Sequence, residues 1–294
     1  MQYSTILLTA LTALSTGVSG LAIPSLFSRD NCPEYQQAKA NQSTIFGLQL
    51  AGSAKDQDDL DQTCTQLNEG KYAKWKQEGL FINDIKKPVC QGTPNTTTLL
   101  PTLAASTTKL FTHLLLTSFP SSQSKSYLCK NLRYTLLDSL LLNSDTVIAT
   151  LCNTTATPQA PQPFTPLAED NSTAVGDVHS ASAEVFAYTL ASGYSTPDAL
   201  RAACEDAPSK KDAWNKLLLN GTAVEETLCS IKSPLSVDAA KGKIKEAMSK
   251  WYGTVLGGVS NAEGWQEEVC GGLSCESMES VGLDGEVVRG VVGC

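Results

Sequence analysis

The sequence predicts an all-α protein built from four tandem disulfide-stapled helical units, arranged as an extended array or a closed superhelix. Three observations predict it. Among 294 residues there are ten cysteines, against two histidines and three methionines, and eight of the ten recur at near-constant spacing. The apolar residues around them repeat with a helical period of about 3.6, and no stretch sustains the alternation of a strand. Gly, Pro, Asn and Ser stand between the apolar runs, where helices stop and start.

Taken in chain order, the first element is a leader. Residues 1–22, MQYSTILLTALTALSTGVSGLA, carry no charge and have an apolar stretch from Ile6 to Leu14, with small residues at Gly20 and Ala22. This pattern is a secretory signal peptide, cleaved after Gly20 or Ala22, and its apolar stretch is too short for a membrane span. The mature chain then keeps an even number of cysteines in a compartment where disulfides persist.

The units follow. LLLNSDTVIATLC (140–152) aligns without a gap with LLLNGTAVEETLC (217–229), and extending outward from this match finds the same layout four times. Each copy opens with Ile45-Phe46, Leu110-Phe111, Val185-Phe186 or Trp251-Tyr252, followed four positions later by Leu50, Leu115, Leu190 or Leu256. Cys64, Cys129, Cys204 and Cys270 each lie fourteen residues beyond that leucine. The second cysteines, Cys90, Cys152, Cys229 and Cys294, come after 22 to 25 intervening residues. The units are therefore residues 31–90, 99–152, 177–231 and 236–294. Residues 153–176, with four prolines and two sequons, form a semi-rigid glycosylated linker. The linker divides the array into two halves of two units each.

The third unit shows why each copy reads as helical. Val185, Phe186, Thr189 and Leu190 share one helix face that ends at Gly193. Ser195 or Thr196 caps a second helix with Pro197 at its first position, and a third runs through Trp214 to Leu219 and stops at Asn220-Gly221. A fourth begins at the capping-box pair Thr222 and Glu225 and carries Cys229. The expected bridges are Cys64–Cys90, Cys129–Cys152, Cys204–Cys229 and Cys270–Cys294, each joining the second helix of a unit to its last. A unit of this size buries barely enough apolar surface to fold alone, and each bridge adds about 3 kcal/mol in the loop-entropy model. Cys32 and Cys275 remain. Either they pair and clasp the first unit to the fourth, which elimination favours, or Cys275 takes a partner inside unit four and reshuffles the local pairing.

Composition narrows the function classes. The chain is 41% hydrophobic and 18% charged, with 22 basic against 30 acidic residues and a net charge of −8. That is too apolar for disorder and lacks the basic excess that meets nucleic acid. His113 and His179 are the available imidazoles. His113 reads as a satisfied edge residue and His179 as a residue near a helix start, with no nucleophile elbow, phosphate loop or zinc motif beside them. The acidic run Asp56, Asp58, Asp59 and Asp61 resembles a calcium loop but lacks its glycine and distal glutamate, and reads as a helix N-terminus. Trp75, Trp214, Trp251 and Trp265 fall on core faces, with a sugar-stacking platform as the minority alternative. No catalytic, metal or cofactor residue is implied, and an enzyme ranks last.

Five sequons, at Asn41, Asn95, Asn153, Asn171 and Asn220, fit N-glycosylation on the secretory route. The charge-free leader, Ser28-Arg29-Asp30 before the first cysteine, the sequons and the even cysteine count together resemble the secreted cysteine-rich proteins of filamentous fungi, including effector-like proteins. The resemblance covers the general layout and carries over no functional residue. It implies an extracellular role toward a host or a wall, with a protein, a glycan or an apolar ligand as partner. A structural wall glycoprotein and a carrier of an apolar ligand stand as alternatives to a host-interaction effector.

Overall fold

The computed structural model describes residues 32–132, 134–140, 142–152, 173–260 and 262–294, and these contain fifteen helices and no strand. The signal segment, most of the linker, and the sequons at Asn153 and Asn171 lie outside them. Unit one consists of α1 (Pro33–Gly52), α2 (Gln57–Asn68), α3 (Ala73–Gln77) and α4 (Ile82–Gln91). Unit two is α5 (Thr96–Ser118), α6 (Ser122–Asn131), α7 (Tyr134–Ser139) and α8 (Ser144–Cys152). Unit three is α9 (Thr173–Ser192), α10 (Pro197–Lys216) and α11 (Gly221–Ser230), and unit four is α12 (Val237–Gly258), α13 (Trp265–Gly272), α14 (Cys275–Ser280) and α15 (Gly285–Val292).

Local chemistry sets the boundaries. Asp56, Ser121, Thr196, Ser236 and Asp284 each accept a backbone N–H from the first turn that follows them, the group a helix start leaves unpaired. Two elements differ from expectation. The second and third helices of unit three are one, α10, which runs through Pro208 although proline removes a hydrogen bond there. Its successor α11 is capped by Asn220, whose Oδ1 accepts from Ala223 N at 3.1 Å, and not by a Thr222–Glu225 box. The long helices also start earlier than the unit limits suggest, α5 at Thr96 and α9 at Thr173 inside the expected linker.

The four bridges Cys64–Cys90, Cys129–Cys152, Cys204–Cys229 and Cys270–Cys294 are formed, with Cα separations of 5.0 to 5.5 Å. The Cys32–Cys275 clasp is not: both are free thiols. Cys32 donates to Glu34 Oε2 at 2.8 Å, and Cys275 is packed against the backbone of Gly285, where an added Cβ would fall 2.9 Å from the cysteine Cβ.

Each unit contributes one long helix to the centre, with α1 packed on α5 and α9 on α12. The hydrophobic cores, however, pair units one with three and two with four. The aromatic residue that opens each repeat makes this pairing: Phe46 meets Phe186 at 5.7 Å between ring centroids, and Phe111 meets Tyr252 at 6.0 Å. Units one and three also exchange tryptophans. Trp75 Nε1 donates to Thr189 O at 2.7 Å, and Trp214 Nε1 donates to Ser53 Oγ at 2.9 Å. Room for these insertions comes from glycines: a Cβ on Gly193 would stand 2.8 Å from Trp75, and one on Gly52 would stand 2.8 Å from Leu217. Units two and four meet through Tyr127 stacked on Trp265 at 5.9 Å and through Ser274 N donating to Ser118 O at 3.0 Å. The array is thus closed.

A second repeated device holds each unit's last helix to its long one. Three residues before the signature aromatic, Ser43, Thr108 and Ser249 are buried hydroxyls. They accept the backbone N–H of Phe81, Asn143 and Asp284, the residues that precede α4, α8 and α15, at 2.9, 2.8 and 2.7 Å. Unit three has Ala183 in that position and uses the His179 carbonyl, which accepts from Asn220 N at 3.2 Å. Ser43→Ala or Ser249→Ala leaves a half-buried N–H without its acceptor. Each is expected to lower stability in urea unfolding by about 1–2 kcal/mol. Ser230→Ala, which removes only an exposed back-bond to Thr227, should change it by less than about 0.5 kcal/mol.

Candidate functional site

The residues singled out in the sequence do not converge on one place. His113 sits on α5 with Nε2 2.8 Å from Glu34 O, a contact that ties α5 to the start of α1. His179 is half-buried on α9, with its imidazole pKa pushed down by burial. Asp56 caps α2, with Asp58 and Asp59 in the first turn, and no cluster of metal-ligating side chains occurs among the described residues. All four tryptophans are buried. Of the sequons, Asn95 is exposed and Asn41 half-buried. Asn220 is engaged at both ends of its amide, capping α11 and donating to Ser180 Oγ at 3.0 Å.

Two partly open spaces lie along the seam of the long helices. At the centre, a space of about 60 Å³ is bounded by Phe46, Leu110, Phe186, Met248 and Trp251 together with Gln42, Thr107 and Thr189. Gln42 Nε2 is buried there without a hydrogen-bond partner. That volume suits about two waters and is well below the ~150 Å³ that holds a benzene.

The larger space, about 140 Å³, opens where unit one faces unit four. Helix α1 supplies Lys39, α12 supplies Lys241 and Lys245, and the turn after α3 supplies Glu78. Lys39 donates to Gln42 Oε1 at 3.0 Å and stands over the Tyr35 ring at 5.6 Å. Lys245 lies 4.0 Å from Asp284. Glu78 is the unusual member, because it is 2% exposed and therefore a buried carboxyl. It is placed there by the tight turn at Gly79, whose φ of +88° places it in the left-handed region that glycine tolerates.

The hydrogen bonds around Glu78 define its state. Glu78 Oε2 lies 2.6 Å from Ser192 Oγ, and the same hydroxyl lies 2.7 Å from Thr189 O. One hydroxyl proton serves one acceptor. When Ser192 gives its proton to the carbonyl, the contact with Glu78 closes only if the carboxyl carries a proton. Burial acts in the same direction, raising the Glu78 pKa above the ordinary carboxyl value and outweighing the Ser192 contact and the positive charge of Lys74, Lys39 and Lys241. Oε1 is buried and has no hydrogen-bond partner.

Sequence reading missed this site. Glu78 stands in KWKQEG, which has the composition of a solvated turn, and its burial arises from α9 of unit three, 114 residues away along the chain. Lys241 and Lys245, four apart on one face of α12, are the single hint the sequence contains.

The Glu78 environment has a pH signature. Its folded pKa lies above the unfolded one, so its contribution to stability is full below pH 4.5 and is lost as pH rises through the folded value. Glu78→Gln keeps the neutral shape and cannot ionise. Its stability relative to the parent protein should therefore increase between pH 4.5 and pH 7, measured by urea unfolding, and an equal difference at both pH values would contradict the assignment. Comparison with protein-family models, with curated proteins and with solved structures finds no match for this chain.

Proposed function

We propose that the protein is a secreted, disulfide-stapled helical repeat glycoprotein that works by binding outside the cell, as a host-interaction effector. The observation that carries the binding reading is the cavity between units one and four, which is lined by three lysines, Lys39, Lys241 and Lys245, and by Glu78. Four staples at equivalent positions hold the cavity walls, which come from different units, and would keep them in place in an oxidising medium. Among the described residues Val291 is the large hydrophobic side chain left exposed, so recognition by polar chemistry is favoured over an apolar surface patch.

The signal segment and sequons support secretion and glycosylation. The described residues contain no helix long and apolar enough to cross a membrane. The test is to raise the producing organism in liquid culture and on its host. The protein is expected free in the culture fluid, with faster gel migration after deglycosylation, and disruption of its gene should impair infection and spare growth. Recovery only from the detergent-insoluble wall, with impaired growth, would favour a structural wall glycoprotein instead.

A further inference from the structure

We infer that the short helix α3 is an acid-locked latch: protonated Glu78 fastens it to the end of α9 in unit three, and ionised Glu78 lets it open locally while the rest of the fold stays closed. The inference is independent of what the protein binds. Three side chains from α3 and the turn after it reach the same region of unit three. Lys74 Nζ donates to Tyr194 O at 3.4 Å and to Leu235 O at 3.3 Å. Trp75 Nε1 donates to Thr189 O at 2.7 Å, and Glu78 Oε2 meets Ser192 Oγ at 2.6 Å. Thr189 and Ser192 belong to the last turn of α9, where helical carbonyls lack partners and the helix dipole is negative.

Protonation matters because these contacts form one chain. Protonated Glu78 donates to Ser192 Oγ, Ser192 donates to Thr189 O, and the same carbonyl accepts from Trp75. An ionised Glu78 can only accept. Ser192 must then turn its proton from the carbonyl to the carboxylate, and a negative charge is left buried against the negative end of α9. Positive charge reaches Glu78 from Lys74 of α3, Lys39 of α1 and Lys241 of α12, while Lys245 of α12 and Glu279 of α14 line the cavity beside it. Burial outweighs the lysines.

The chain around α3 lets it move by itself. Gly70 and Gly79 flank it with φ of +76° and +88°, in the region glycine tolerates, and the Cys64–Cys90 bridge closes outside both. The helix can therefore leave α9 with the covalent frame of unit one intact. Opening uncovers Trp75 and the Tyr72 ring stacked on it at 4.3 Å. In the open form Glu78 meets water and returns to the ordinary carboxyl value. The closed form is thus favoured most below pH 4.5, and opening becomes easier as pH rises through the closed-state value.

Amide hydrogen exchange of the intact, disulfide-bonded protein at pH 4.5 and pH 7, corrected for the intrinsic pH dependence of exchange, tests this. The amides of Trp75, Glu78 and Leu80, which donate to Tyr72 O, Lys74 O and Trp75 O, report on α3. They should be less protected than the slowest amides of α5 at both pH values, because α3 opens without global unfolding. Their protection should fall at least about fivefold from pH 4.5 to pH 7. Glu78→Gln keeps the neutral shape and cannot ionise, so the fall should vanish in that variant. Protection of α3 equal to that of the slowest α5 amides would show that α3 opens only with the whole protein, and would overturn the inference. So would a parent protein in which α3 protection does not change with pH, or a Glu78→Gln protein that shows the same fall. The two results on the parent protein stand whether or not the variant folds.

Discussion

The structure depends on the insertion of each of two tryptophans into the other's unit. Trp75 leaves its own short helix to donate to the Thr189 carbonyl of unit three, and Trp214 of unit three donates to Ser53 of unit one. Unit by unit the exchange is reciprocal, although the acceptors differ: a backbone carbonyl three residues after Phe186 in one direction and a hydroxyl seven residues after Phe46 in the other. Its origin is a size constraint. A unit of some 55 residues has too little interior to bury its own tryptophan and phenylalanine, so the side chains that would end on its surface become the core of a neighbour. Phe111 and Tyr252 repeat the solution for units two and four. The closed body follows from this shared burial, because neither pair can be opened without exposing several aromatic rings.

The disulfides and buried hydroxyls act one level below. Each bridge joins a second helix to the last helix of the same unit or, at Cys294, to the residue just beyond it, and Ser43, Thr108 and Ser249 fasten that last helix to the long one. These devices fix the shape of a unit and leave the choice of neighbour to the aromatic rings. The division explains why the functional candidate lies between units. The seam where α1 faces α12 carries no signature aromatic pair and retains the larger of the two spaces, lined by lysines and Glu78, whereas the one at Phe46 and Phe186 is small.

Much of the unit was legible in the sequence, because spacing along a chain is a direct record of local structure. Four cysteine pairs, the signature aromatics and the helix starts at Asp56 and Thr196 fall where the sequence places them, whereas the Thr222–Glu225 box gives way to Asn220. The column of hydroxyls at Ser43, Thr108 and Ser249 was visible in the same register, although Ala183 interrupts it and its role appears only with the Phe81, Asn143 and Asp284 amides in place. What spacing cannot record is which unit neighbours which. The pairing of one with three, skipping two, is set by contacts more than 100 residues apart, such as Trp75 with Thr189. For the same reason nothing near Glu78 in the sequence marks it as buried: Ser192, which contacts it, belongs to another unit. Elimination also failed for Cys32 and Cys275, since leftover cysteines are paired by geometry and not by arithmetic.

The most direct test of shared burial is to separate the halves. Residues 31–152 and 173–294 each retain two complete units and two of the four bridges, and can be produced apart under oxidising conditions and then mixed. Near-ultraviolet circular dichroism, which reports fixed aromatic packing, combined with urea unfolding, is the measurement. Neither half alone should show a native aromatic signal or a cooperative transition, and an equimolar mixture should regain both. A half that unfolds cooperatively by itself with the aromatic signal of the intact protein would contradict the account.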